Sequence, residues 1–172
     1  LTALLYHNSD FFSNKHKIEY LDLSNNKLSS TDGISELLTY SETSLELILK
    51  NNELTFDKKV EYDAEEFRGL YLDLSNNKIT SLENLPETKE GYYWKLKLYG
   101  NKIDLSDEKN LNWLYNNKIY LLFIDYSDDI KNIKMDHFSS IWISDNPDSD
   151  EEEKLEAEYE KIVIDRKWKL EN

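Results

Sequence analysis

The chain contains no cysteine. Disulfide staples and a thiolate nucleophile are excluded, and a zinc site would lack its usual sulfur ligands. Proline and glycine are scarce, at two and four among 172 residues, which argues against long disordered linkers. There is no run of about 18 apolar residues, the length a membrane-crossing helix needs. No leader-like segment is visible, and no Asn-x-Ser/Thr sequon occurs. Together with the missing cysteine, these absences favour an intracellular setting. The three histidines, His7, His16 and His137, share no spacing with Asp, Ser or each other that suggests a triad or a metal site. No glycine-rich phosphate loop occurs. Asp145, Asp148 and Asp150 cluster, but without the glycine-bearing loop of a calcium hand they read as solvated turn acids. No catalytic residue, metal site or cofactor is expected.

What is abundant is negative charge. Thirty-five acidic residues against 21 basic ones give a net charge of −14. That balance opposes nucleic acid and anionic membranes, both of which need a cationic surface. It suits a basic protein or peptide partner, although solubility is the plainer account. Hydrophobic content is only 39%. A thin, repetitive molecule explains this better than a sphere, because it exposes more surface per residue.

A short phrase recurs: Leu21-Asp-Leu-Ser-Asn-Asn26-Lys-Leu28, Leu47-Ile-Leu-Lys-Asn-Asn52-Glu-Leu54, Leu72-Asp-Leu-Ser-Asn-Asn77-Lys-Ile79 and Leu96-Lys-Leu-Tyr-Gly-Asn101-Lys-Ile103. Its first leucines step by 26, 25 and 24 residues. Alternation within Leu21-x-Leu23 places both leucines on one side of a short strand. Two leucines cannot make a core, so units must stack and bury each other's faces. Phe138-Ser-Ser-Ile141-Trp-Ile143-Ser-Asp-Asn146-Pro147 keeps the pattern more weakly. Leu121-Leu-Phe123-Ile-Asp-Tyr126 has the strand but a tyrosine where asparagine is expected.

A period in this range with L-x-L-x-x-N-x-L at its heart resembles the leucine-rich repeat family. The resemblance implies an α/β solenoid, a curved right-handed horseshoe arc. It has a parallel sheet on the concave face, short helical or irregular convex returns, and capped ends. Residues 1–17 are expected to form an N-terminal cap, with a short helix over Thr2–Tyr6. About six repeats follow over 18–148, then a C-terminal capping helix within 149–172. Ser149 and Glu152 read as its capping box, although the acidic run also resembles a phosphorylation site or an interaction tail. The family's asparagine ladder falls on Asn26, Asn52, Asn77, Asn101 and Asn146, each satisfying backbone groups at a turn. Asn25, Asn51 and Asn76 then sit at the exposed tight turn. Between strands, Ser30–Leu38 reads as a helical turn capped by Thr31 or Asp32. Residues 106–115 read as an amphipathic helix with Leu111, Leu114 and Tyr115 facing inward.

If residues 21/23, 47/49, 72/74, 96/98, 121/123 and 141/143 point inward, their neighbours form the concave face. That face then carries Tyr20, Asp22, Tyr71, Asp73, Lys95, Lys97, Tyr99, Tyr120, Leu122 and Trp142. A one-residue slip in the fifth repeat would instead bury Leu122 and Ile124. Aromatic residues there suit a binding surface, with Tyr120, Leu122 and Trp142 as its anchor. The expected role is a non-enzymatic scaffold holding a protein or peptide. The alternatives are the recognition domain of a larger effector or enzyme, and self-assembly through the same face.

Overall fold

A computed structural model of the chain describes residues 18–41, 44–62, 69–88, 91–134 and 137–144, with only the backbone described at Tyr40, Ser140, Trp142 and Ser144. Both expected caps, and the ladder place of Asn146, lie outside the described residues. The element order is β1 (Tyr20–Asp22), α1 (Ile34–Tyr40), β2 (Ser44–Ile48), β3 (Gly69–Asp73), β4 (Tyr92–Lys97), α2 (Glu108–Asn116), β5 (Ile119–Asp125), a 3₁₀ segment (Asp128–Asn132) and β6 (Ser140–Ser144). The six strands form one parallel sheet in sequence order. Each unit is therefore a strand, a turn and a return segment, stacked against the unit before it.

The first leucines pair directly across the first four strands, Leu21 with Leu47, Leu47 with Leu72, and Leu72 with Leu96. These leucines meet Leu38, Leu54, Leu82, Leu85 and Leu114 from the returns in a single core. In α1 the helix begins one or two residues later than a Thr31 or Asp32 cap predicts. Its N-cap is Gly33, at φ 89°, with no side-chain cap. α2 falls within the expected helical segment, and its cap is Asp107, whose carboxylate accepts from the Lys109 backbone N–H at 2.9 Å. Trp113 joins Leu114 in the core, while Leu111 and Tyr115 are partly buried against it.

The turns after β1, β2, β3 and β4 are held by asparagine. Asn52 Oδ1 accepts from Leu28 N at 3.0 Å, Asn77 Oδ1 from Leu54 N at 3.0 Å, and Asn101 Oδ1 from Ile79 N at 3.1 Å. Their amide nitrogens donate back to Leu23, Leu49 and Leu74 carbonyls in the preceding unit. A backbone bond closes each of these corners, from Glu53 to Leu28, Lys78 to Leu54, and Lys102 to Ile79. A second asparagine row lies outside the first. Asn25, Asn51 and Asn76 have φ values of 57°, 56° and 55°. Asn51 Nδ2 donates to Asn25 Oδ1, and Asn76 Nδ2 to Asn51 Oδ1, both at 2.8 Å.

Gly100 occupies the next place in that outer row, at φ 66°. A Cβ there would overlap Asn76 Oδ1 and lie 3.2 Å from Asn76 Cα. Left-handed backbone and lack of space both demand glycine. Gly100→Ala is expected to cost about 1–3 kcal/mol. Urea denaturation should show a lower midpoint at unchanged slope, and an unaltered midpoint would contradict this packing.

Candidate functional site on the outer face of the sheet

One face of the sheet meets the core, and the other carries the variable residues. Pairing across all six strands aligns one outer row as Tyr20, Glu46, Tyr71, Lys95, Leu121 and Ser140. A second aligned row is Asp22, Ile48, Asp73, Lys97, Phe123 and Trp142. Between them runs the core row ending in Leu96, Leu122 and Ile141.

This register corrects the fifth repeat. Leu122 and Ile124 lie in the main core, at 0% and 3% exposure. Leu121 and Phe123 instead form a separate cluster with Tyr99. Leu122 is therefore removed from the outer face, and Phe123 takes its place. The ladder position shifts as well. Five residues beyond Leu122 is Ser127, so Tyr126 is not the ladder residue.

A bulge accounts for the slip. Leu70 pairs with Tyr93 but Tyr71 pairs with Lys95, leaving Trp94 as an extra residue opposite β3. An extra residue lets two successive side chains share a face. Both Trp94 and Lys95 meet the outward Tyr71, with rings 5.3 Å apart in the first case and Nζ 4.8 Å from the ring in the second. β5 follows β4 without interruption, from Tyr93↔Ile119 to Lys95↔Leu121. Tyr120 consequently sits beside Trp94, and Leu121 joins it on the outer face. Tyr120 also meets Tyr92, edge to face, at 5.0 Å.

The result is an aromatic patch centred on β3–β5. Edge-to-face pairs and ammonium–ring contacts each contribute roughly 0.5–1.5 kcal/mol, so the patch is fixed before any partner arrives. Lys95 Nζ also lies over the Trp94 ring and the Phe123 ring, while Lys97 Nζ lies 5.4 Å from Phe123 and 5.9 Å from Tyr71. Lys95, Tyr99 and Asp73 are on this face yet buried, because neighbouring side chains cover them. Lys97 and Tyr71 are half-buried. Tyr20 at 58% and Tyr120 at 47% are the exposed aromatic side chains described on these strands, and Tyr126, in the turn after β5, is exposed as well. Trp142 is aligned with Phe123 by backbone pairing. Phe123, Trp94 and Tyr92 were hidden in the sequence by the assumed alternation. Three consecutive aromatics, Tyr92-Tyr93-Trp94, beside an unbroken apolar run in β5, were the available signal.

Charge is segregated along this face. The first three strands present Asp22, Glu46 and Asp73, and β4 presents Lys95 and Lys97. Asp22 Oδ1 accepts from Ser24 N at 2.8 Å, and Asp73 Oδ1 from Ser75 N at 2.9 Å. Hydrogen bonds from the Ser24 hydroxyl and backbone N–H hold the Asp22 carboxyl below its ordinary range. Both aspartates are thus oriented acceptors, fixed by the turn that follows the strand.

Among the described residues no group of three or more His, Asp or Glu side chains could hold a metal ion. His137 packs edge to face on Tyr115 at 5.2 Å and on Phe138 at 5.1 Å. His7 and His16 lie outside the described residues. Beside α2, a cleft of about 380 Å³ is lined by Glu83, Glu87, Lys109, Asn112 and Trp113, among others. Its carboxylates are paired, Glu83 with Lys109 and Glu87 with Lys59. Among the described residues no helix is long and apolar enough to cross a membrane.

Comparison with known families gives one match: the family described as Leucine Rich Repeat matches residues 17–39. No curated protein and no solved structure matches the chain.

Proposed function

Because the chain is a leucine-rich-repeat protein, a family whose domains generally mediate protein–protein contacts and are typically non-catalytic, we propose that the outer face of its sheet holds a protein or peptide partner. This is the concave side of the family's horseshoe. The observation that carries the reading is the patch of Tyr71, Tyr92, Trp94, Tyr120 and Phe123, gathered on a face that elsewhere alternates with a buried core. Tyrosine and tryptophan dominate binding energy because they bury large area at small entropic cost. Tyr20, Asp22 and Glu46 extend the contact across the first two strands, with the buried Asp73, Lys95 and Tyr99 and the half-buried Lys97 shaping its centre and the strand position of Trp142 at its far end. The acidic strands suit a basic segment of the partner, and the aromatic patch suits its apolar anchor.

Affinity capture with the wild-type chain, followed by titration of the captured partner against Tyr120→Ala, tests this. The expected loss is about 2 kcal/mol in binding, with a stability loss below about 1 kcal/mol, since Tyr120 is half exposed. Binding should also weaken as salt rises, because a basic partner is held partly by screened charge. A loss below about 0.5 kcal/mol for both Tyr120→Ala and Trp142→Ala would remove the patch as the anchor.

A further inference from the structure

The corner between the fourth and fifth repeats lacks the fastenings of those before it. Register places Ser127 in the ladder position, because Leu122 pairs with Leu96. The Ser127 hydroxyl is buried and has no hydrogen-bond partner. A serine is too short to reach both the preceding turn and its carbonyl, as Asn52, Asn77 and Asn101 do. The backbone bond that closes each earlier corner has no counterpart from Asp128 to Ile103 among the described residues. The outer row changes too. Asn25, Asn51 and Asn76 donate backbone N–H groups to the next unit's backbone carbonyls. Gly100 N instead donates to the Asp125 side chain at 2.8 Å. A cavity of about 140 Å³ opens at this place, lined by Leu98, Asn101, Ile103, Ile124 and Ser127 among others.

The two flanks of the same junction are fastened. On the outer face Tyr99 packs with Leu121 and Phe123. On the return side Tyr115 Oη donates to the Asn132 carbonyl and accepts from Lys134 N, and Asn132 Nδ2 donates to the Leu105 carbonyl. Stability in a stacked chain is a sum of nearest-neighbour terms, so the corner with the fewest bonds opens first.

We infer that this corner is a hinge, at which β5 and β6 shift relative to β1–β4 while the flanks stay in contact. The aromatic patch straddles it, with Trp94 and Lys97 on one side and Phe123 on the other. Opening the corner would change their spacing without unfolding either part.

Amide hydrogen exchange on the full chain, without a partner, tests the hinge independently of what the face binds. Leu54 and Ile79, whose N–H groups are held by Asn77 and Asn101, are the internal standards. Ile103 should exchange about tenfold faster or more than either. Ser127→Asn should slow Ile103 by about tenfold by restoring the ladder. Ser127→Ala should leave its rate unchanged, because the hydroxyl contributes no bond. Protection of Ile103 equal to that of Ile79 in the wild type would overturn the hinge. So would a tenfold acceleration in Ser127→Ala, which would show a bonded hydroxyl. If Ser127→Asn does not fold, the wild-type ratio and Ser127→Ala decide the matter.

Discussion

Replacing Asn77 with alanine is expected to cost about 3 kcal/mol, through loss of hydrogen bonds rather than of packing. The side chain is 8% exposed and serves two units at once. Its oxygen holds Leu54 N, and its nitrogen holds the Leu49, Leu74 and Ser75 carbonyls. Alanine leaves these backbone groups buried without partners, at roughly 1–3 kcal/mol for each group that water cannot reach. Asn26 is the internal control. It is exposed, and among the described residues its side chain bonds only to the Leu23 and Ser24 carbonyls of its own unit. Asn26→Ala should therefore cost less than about 1 kcal/mol, since water replaces the lost partners. Denaturant titrations of both variants measure the difference. Equal losses would mean that the ladder bonds do not couple neighbouring repeats.

Leu122→Ala should cost about 2–5 kcal/mol, the range for emptying a leucine-sized volume in a packed core. Leu122 is 0% exposed, between Leu96 and Ile141 in the sheet. Tyr120→Ala, two residues away, should cost less than about 1 kcal/mol in stability, because 47% of Tyr120 is already in water. The pair thus separates a residue that holds the fold from one offered to a partner. Calorimetry or denaturant unfolding of the two variants reads this directly. A Leu122→Ala loss below about 1 kcal/mol would return the fifth strand to strict alternation, with Leu122 outward.

Much of the scaffold is legible from residue spacing. Leucines at 21, 47, 72 and 96 fall in direct register, because the phrase they begin is repeated with its turn and its asparagine. α2 is legible because Asp107 and the apolar places of 111–115 follow ordinary capping and helical periodicity. α1 is less so. Several residues in Ser29-Ser-Thr-Asp-Gly33 could cap a helix, and the one that does, Gly33, uses backbone geometry rather than a side chain.

The fifth strand was not readable in this way. From Ile119 to Ile124 every residue is apolar or aromatic, so period two selects no face. Its register comes from pairing with β4, and that pairing carries the consequences of the Trp94 bulge. Alternation likewise gives the side of the sheet a residue faces, but not what covers it. Asp73, Lys95 and Tyr99 face outward yet are buried by neighbours that lie about 25 residues away in sequence.

The sequence by itself determined the repeat, its strands, its leucine core and its asparagine corners, because these depend on local pattern renewed at a fixed period. Only the tertiary structure decided which aromatic residues meet on the outer face, and that Ser127 stands where an asparagine belongs. The first follows from the extra residue in β4 and the second from the pairing of Leu122 with Leu96, and both are set by hydrogen-bonded register between strands, which leaves no mark on their composition.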